Sequence, residues 1–275
     1  MTASSSEKGM GQKNRAEDAP NGAQAATGSG GRTEPAGSGP GSETVARRAA
    51  GAAAAALVEP GMLVGLGTGD TAAHFIRALA ARQLAGLRCI ATSRRSAGLA
   101  RELGFALLEL DEVAPSGGPP PIDLTVDGAD EIDPQLRLIK GAGGALLFEK
   151  LVAHASRRLV IIADGAKRVQ RLGEKRLLPI EIVAFGARHT LDRVRRCSAV
   201  QSAELRLADG APYHTDSGNL IVDARLQAGA GADLNAVQAE LKAMLGVIET
   251  GLFLTEAERA LLGAPDGSVE VLERS

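Results

Sequence analysis

MLVGLGTGDTAAHFIRALAARQL, residues 62–84, passes from one structural grammar to another across a loop of small residues. MLVGLG is a short apolar run of the kind that forms a buried strand, and TAAHFIRALAARQL reads as a helix. Between them, glycines at 65, 67 and 69 let backbone N–H groups approach an anion, and the helix N-terminus adds partial positive charge. The same glycines would also serve a tight turn that only needs small residues. Gly67-x-Gly69-x-x-Ala72 loosely fits a dinucleotide fingerprint. The next strand, however, ends in Ala91-Thr92-Ser93, with no acid to hold a ribose 2′-hydroxyl. No Gly-Lys-Ser/Thr occurs, so a P-loop is excluded.

Outward from this unit, strands and helices alternate. LRCIATS (87–93), FALLEL (105–110), IDLTV (122–126) and RLVIIAD (158–164) read as strands. RSAGLARELG, closed by Gly104, and ALLFEKLVAHASR (145–157) read as helices, and a first helix is expected from an N-cap at Ser42 to Val58. The strand cores are nearly continuous apolar runs, which predicts an α/β fold with a Rossmann-like parallel sheet covered on both faces. After Gly173 the texture changes. LPIEIVAF, HTLDRVRRC, AELRLA, YHTDSGNLIVDARL and DLNAVQAELKAM suggest antiparallel strands with helices. The expected organisation is a catalytic domain over 42–174 and 247–275 and a smaller α+β domain over 175–246. Residues 1–41 are rich in Gly, Ser and Ala without apolar periodicity, which predicts a disordered tail.

Composition narrows the function. Apolar residues reach 44%, but aromatics only 2% with no Trp, so the core must be aliphatic. A net charge of -2 gives no footprint for nucleic acid or a membrane surface. Cys89 and Cys197 lack CxxC spacing, and the four histidines lack metal-ligand spacing, so neither a disulfide framework nor a metal is expected. No signal pattern or membrane-length apolar run is seen, and the cytoplasm is the natural compartment.

Three further motifs follow predicted strands. Asp127-Gly128-Ala129-Asp130-Glu131 comes directly after IDLTV, where ligands of open α/β sheets bind. Lys140-Gly141-Ala142-Gly143-Gly144 opens the helix that carries Glu149, and a lysine with a run of amides at a helix N-terminus favours an anionic oxygen. Glu149, expected about two turns into that helix, stands in the apolar stretch Leu146-Leu147-Phe148, where burial would raise its pKa. Ala163-Asp164-Gly165-Ala166-Lys167 ends the next strand. Each is weak alone: a solvent-facing Glu149 is the plainer reading of that residue by itself, and Lys167 by itself fits an anion and solvent equally. Their shared position at strand carboxyl ends implies an anion-binding pocket with several acids and two lysines. Without a metal or hydride carrier, that set suits proton transfer next to a carbonyl.

GLGTGDTAAHFI, TVDGADEID, LIKGAGGALLFEKLVA, IIADGAK, LPIEIVAFG, TDSGNLIVD, GVIETGLF and GAPDG together resemble the metal-independent ribose-5-phosphate isomerase family, type A, over residues 44–267. The resemblance implies a Rossmann-like domain with a small ferredoxin-like lid, a homodimer, no cofactor, and aldose–ketose isomerisation of a sugar phosphate through an enediolate. It further implies Glu149 as the base between C1 and C2, Asp127 at the sugar oxygens or ring opening, and Asp130 and Lys140 as orienting and stabilising groups. Thr68, Gly69, Asp70, Thr71, Asp127, Gly128, Ala129, Asp130, Lys140, Gly141, Ala142, Gly143 and Lys167 match its substrate-contacting positions, with Arg47 a further phosphate contact. Departures are Asp70 for a usual Ser, Ala142 for a Gly, Phe148 for a common Arg, and Gly165-Ala166 for a more polar pair. A related amino-sugar-phosphate deaminase or CoA transferase, or a sugar-phosphate sensor, fits less well. A CoA transferase needs a glutamate nucleophile in its own motif, which is not seen, and residues 1–41 supply no helix-turn-helix.

Overall fold

The computed structural model describes residues 40–113, 120–227 and 233–274. In chain order the elements begin α1 (Pro40–Ala55), β1 (Leu63–Leu66), α2 (Asp70–Ala81), β2 (Arg88–Ala91), α3 (Arg94–Glu102) and β3 (Ala106–Leu107). Next come β4 (Leu124–Gly128), β5 (Glu131–Ile132), β6 (Leu138–Ile139), α4 (Leu146–His154) and β7 (Leu159–Asp164). They continue with β8 (Leu178–Ile182), α5 (Ala187–Val194), β9 (Val200–Leu205), β10 (Leu207–Ala208), β11 (Ala211–Pro212) and β12 (Leu220–Leu226). Last are α6 (Leu234–Lys242), β13 (Val247–Thr250), β14 (Leu252–Phe253), β15 (Arg259–Gly263) and β16 (Val269–Glu273).

Seven strands form one sheet in the order β16-β15-β7-β4-β1-β2-β3. All its pairings are parallel except that of the edge strand β16. Read from β3, the first six strands follow the doubly wound order, with the crevice where the order reverses lying between β1 and β4. Every residue of β1 and β7 is buried, as near-continuous apolar strands under helices on both faces require. Ala46, Ala50 and Ala54 form the buried stripe of α1, and small residues let it approach its neighbours closely. A Cβ on Gly51 would meet the Phe75 backbone of α2 at 2.7 Å, so Gly51 sets the distance between these two helices.

Beside it, β8-α5-β9-β12-α6-β13 build a four-stranded antiparallel sheet in the order β13-β8-β12-β9. This is the ferredoxin-like βαββαβ arrangement. It has its own aliphatic core, including Ile180, Ile182, Val222, Val237 and Leu241.

Four details differ from the sequence expectation. The expected tail lies outside the described residues up to residue 39, but Pro40 and Gly41 already belong to α1. Proline suits a first helical position because its missing N–H has no intrahelical partner there. FALLEL shrinks to the two residues of β3, since β2 offers it only Arg88 and Cys89, and a 3₁₀ turn follows at Leu110–Val113. Val247–Thr250, expected with the first sheet, pairs with β8 in the second, so the chain crosses back only after Thr250. The motif expected directly after IDLTV is itself partly strand: β4 runs through Asp127 and Gly128, and β5 begins at Glu131.

Candidate functional site

Three charged side chains meet in the interior beyond the carboxyl end of β4. Lys140 Nζ stands 3.0 Å from Asp127 Oδ2 and 3.2 Å from Glu149 Oε2, and donates to the Gly128 carbonyl at 2.6 Å. All three residues are buried. β4 delivers Asp127, β6 ends just before Lys140, and α4 carries Glu149 in its first turn rather than two turns in. Asp127 Oδ1 accepts the N–H groups of Thr68 at 2.9 Å and Gly128 at 2.7 Å, so both of its oxygens are held. Glu149 is held less firmly. Its Oε2 is buried without an aligned donor despite the nearby ammonium, and Oε1 accepts no hydrogen bond from a described residue.

Burial dominates the Glu149 pKa. With the charge of Asp127 added, it pushes the carboxyl up to about 8, against the opposing pull of Lys140. Burial alone would lower the lysine, but Asp127 and then Glu149 outweigh it and hold Lys140 above its ordinary value. The ammonium therefore stays charged while the glutamate is poised near neutrality, as general-base work on carbon requires.

The loop of residues 67–71 forms the adjoining wall. A Cβ on Gly67 would run into the Asp127 carboxylate and come within 2.5 Å of its Cα, which makes glycine a packing requirement here. Gly69, at φ 107°, precedes α2 without a side-chain cap. The first-turn amides of α2, at Asp70 and Thr71, therefore remain suited to an anion. Thr68 Oγ1 bonds Thr92 Oγ1 at 2.8 Å, tying the loop to the end of β2.

Asp70 is a neutralised charge. Arg95 donates to it at 2.7 Å, and Arg47 Nη1 lies 3.7 Å away. The hydrogen bond from Arg95, then the charges of Arg95 and Arg47, hold its carboxyl below the usual value against partial burial. Arg47 also reaches Asp164 at 3.4 Å and bonds Glu43, so α1 does border this loop.

Asp130 lies opposite the amide loop of residues 140–144, where its Oδ2 accepts Ala142 N–H at 2.8 Å. Ala129 packs toward the core cluster of Ile132 and Leu138. Gly141 and Gly144 take φ values of 104° and 77°, which glycine adopts without strain. Lys167 is half-buried in the 3₁₀ turn after β7 and makes no hydrogen bond or ion pair with a described residue. The structure thus joins Asp127, Lys140 and Glu149 directly, sets Thr68, Gly128, Asp130 and the amide loop around them, and leaves Lys167 outside this contact network.

Sequence reasoning missed Arg206, Tyr213 and Arg95. Arg206 and Tyr213 flank the two-stranded β10–β11 ribbon that links β9 to β12, and they bond the carbonyls of residues 141–143. No motif flags them, because their partners are backbone atoms 64 to 70 positions away. Arg95 could have been suspected from the acid at Asp70, which needs a cation nearby. Phe253, in the noted GVIETGLF, places its ring 5.4 Å from Lys140 Nζ.

Clefts of about 320 Å³ beside Asp130, Ala142 and Arg206 and about 300 Å³ beside Gly67, Gly69 and Arg95 flank the charged cluster. A concavity of about 370 Å³ between Arg158 and Glu273 opens at the amino ends of β7 and β15, the wrong end of the sheet for these side chains. Among the described residues no group of three His, Cys, Asp or Glu is placed to hold a metal.

Comparison with known proteins identifies the family. The family model described as ribose 5-phosphate isomerase A (phosphoriboisomerase A) matches residues 88–267. The chain is 52% identical over 229 residues to ribose-5-phosphate isomerase A of Caulobacter sp. (strain K31), covering 82% of this chain and 97% of that protein. It is 48% identical over 220 residues to the Deinococcus radiodurans protein of that name, covering 78% and 92%. Among solved structures, ribose 5-phosphate isomerase A from Methanocaldococcus jannaschii superposes with a TM-score of 0.74 at 33% identity, covering 82% of this chain and 97% of that one. A D-ribose-5-phosphate isomerase in complex with phospho-erythronic acid gives 0.76 at 33% identity, covering 83% and 97%. The chain belongs to the ribose 5-phosphate isomerase A family.

Proposed function

We propose that this chain interconverts D-ribose 5-phosphate and D-ribulose 5-phosphate by moving a proton between C1 and C2 of the open-chain sugar. The observation that carries the reading is the buried lysine between two carboxylates, one anchored by two backbone amides as well as the ammonium and one without such an anchor. Asp127, with both oxygens engaged, is suited to orienting hydroxyls and assisting ring opening. Glu149, with a free oxygen and a raised pKa, is suited to taking the C2 proton of the aldose and returning it to C1. The enediolate formed in between carries negative charge on oxygen, which the Lys140 ammonium and the amides of residues 141–143 can stabilise without reorganising. The phosphate is read at the N-terminus of α2 near Thr68, Gly69, Asp70 and Thr71, with Arg47 and Lys167 supplying charge.

The resemblance supports treating residues 175–250 as a lid domain on the Rossmann-like body, and the protein as a cytoplasmic homodimer. Light scattering on the purified chain tests the dimer. No helix among the described residues is long and apolar enough to cross a membrane. A coupled assay on ribose 5-phosphate, run with and without EDTA, tests the activity. Equal turnover in both is expected. Absence of ribulose 5-phosphate, or loss on chelation restored by a divalent metal, would sink the scheme.

A further inference from the structure

The amide loop of residues 141–143 is held from behind by the segment between β9 and β12, which carries the β10–β11 ribbon. Arg206 lies just past the end of β9, and its backbone is fixed by Arg206 N–H to Ile221 O at 2.8 Å and by Tyr213 N–H to Arg206 O at 2.9 Å. Its Nε and Nη2 fork onto the two carboxylate oxygens of Asp223 at 2.8 and 2.5 Å. The remaining nitrogen, Nη1, donates to the Gly141 carbonyl at 3.0 Å and the Ala142 carbonyl at 2.9 Å. Tyr213 Oη donates to the next carbonyl, Gly143, at 3.1 Å. Three successive carbonyls of the loop are thus claimed by two side chains that flank the β10–β11 ribbon.

The consequence follows from peptide geometry. In a trans peptide the C=O and N–H point in opposite directions. Drawing the Gly141 oxygen toward Arg206 sends Ala142 N–H the other way, where Asp130 Oδ2 takes it at 2.8 Å. Drawing the Ala142 oxygen to the same guanidinium turns Gly143 N–H away from it, and among the described residues no acceptor takes that N–H. The glycines at 141 and 144 permit the required backbone, and a Cβ at 144 would strike the Tyr213 ring.

We infer that Arg206, oriented by Asp223 and assisted by Tyr213, is a positioning residue for the isomerisation. It fixes which face of the loop presents its donors to the enediolate oxygens and keeps Asp130 in register. The inference rests on the isomerase reading above. Lysine cannot replace this arginine, since a point ammonium cannot fork onto Asp223 and span two carbonyls at once.

The test uses the full chain with Arg206→Ala, Arg206→Lys and Tyr213→Phe, assayed beside the wild type on ribose 5-phosphate. If the wild type does not isomerise, the functional reading fails, not the strap. Given wild-type activity, Arg206→Ala and Arg206→Lys should lose about 10- to 100-fold in kcat, the scale of a misaligned catalytic group, with KM changing much less. Added guanidinium should partly restore the Ala variant. Inhibition by phospho-erythronic acid, whose carboxylate resembles the enediolate end, should weaken more than substrate binding. A folded Arg206→Ala with wild-type kcat and undiminished inhibition overturns the proposal. If that variant does not fold, Tyr213→Phe decides, because it keeps the ring against Gly144 and loses only the hydroxyl. A several-fold loss of kcat supports the strap, and an unchanged kcat overturns it.

Discussion

Lys140 Nζ lies 3.2 Å from Glu149 Oε2 in surroundings that leave the two side chains only 3% and 6% exposed. In so dry a place the ammonium is costly to leave without an anionic partner. Asp127 shares the same ammonium, so one cation answers for two carboxylates.

Replacing Lys140 with Met should therefore damage both stability and catalysis. Breaking a buried pair by removing one partner typically costs about 3–5 kcal/mol, because a buried charge is left uncompensated. With its pKa near 8, Glu149 is already largely protonated at neutral pH, so the charge left stranded is that of Asp127. Denaturant unfolding should show a lowered midpoint, and turnover should fall with it. A variant within about 1 kcal/mol of the wild type would mean that water already reaches this lysine.

The raised Glu149 pKa makes a signed prediction about pH. An unperturbed carboxyl titrates near 4.5, and this one at about 8. Between those values the folded state holds a proton that the unfolded state has released, so stability falls as pH rises. Relative to Glu149→Gln, the wild type should lose up to about 1.4 kcal/mol per pH unit across that window. Activity runs the other way: kcat/KM should climb with pH along a limb ending near 8, as the base loses its proton. A profile already flat from pH 6 upward would show that Lys140 overrides burial.

Asp70→Ser tests whether the acid in the anion loop is a handicap. Arg95 and Arg47 already offset its charge, and its side chain is 62% exposed. Stability should change by less than about 1 kcal/mol, as for other exposed ion pairs. The Michaelis constant should stay level or fall, because Arg95 is released to face the phosphate. A marked rise would mean that Asp70 makes a favourable contact with the sugar.

Why some of this was legible in sequence and some was not is a matter of range. GLGTGD, DGADEID and KGAGG are local: each is a strand end followed by the small residues its turn requires, so their positions can be read without coordinates. Glu149 was legible as a carboxylate in an apolar stretch and, through the resemblance, as the base; its contact with Lys140 needed the packing of α4 against β4 and β8. The reach of the segment between β9 and β12 was invisible. Arg206 and Tyr213 serve backbone carbonyls, and nothing in their neighbouring residues encodes an acceptor more than 60 positions distant. Val247–Thr250 was misplaced for a related reason. Its short apolar run suits either sheet, and only the pairing with β8 decides.

Glu149→Gln isolates the chemical step. Isomerising an aldose to a ketose needs a proton removed from C2 and one delivered to C1. A single carboxylate on one face of a planar enediolate can do both. Glutamine keeps the shape of the side chain and can still contact sugar hydroxyls, but it cannot accept the C2 proton. Turnover should fall by about 10²–10⁴, the usual worth of a general base, while substrate still binds. In deuterated water the wild type should place deuterium on the sugar at C1 or C2, less than fully where the buried carboxyl shields its proton from exchange. The Gln variant should incorporate almost none. If it exchanges and turns over near the wild-type rate, Glu149 is not the base. The role would then pass to Asp127, whose oxygens would first have to give up the Thr68 and Gly128 amides and the Lys140 ammonium that hold them now.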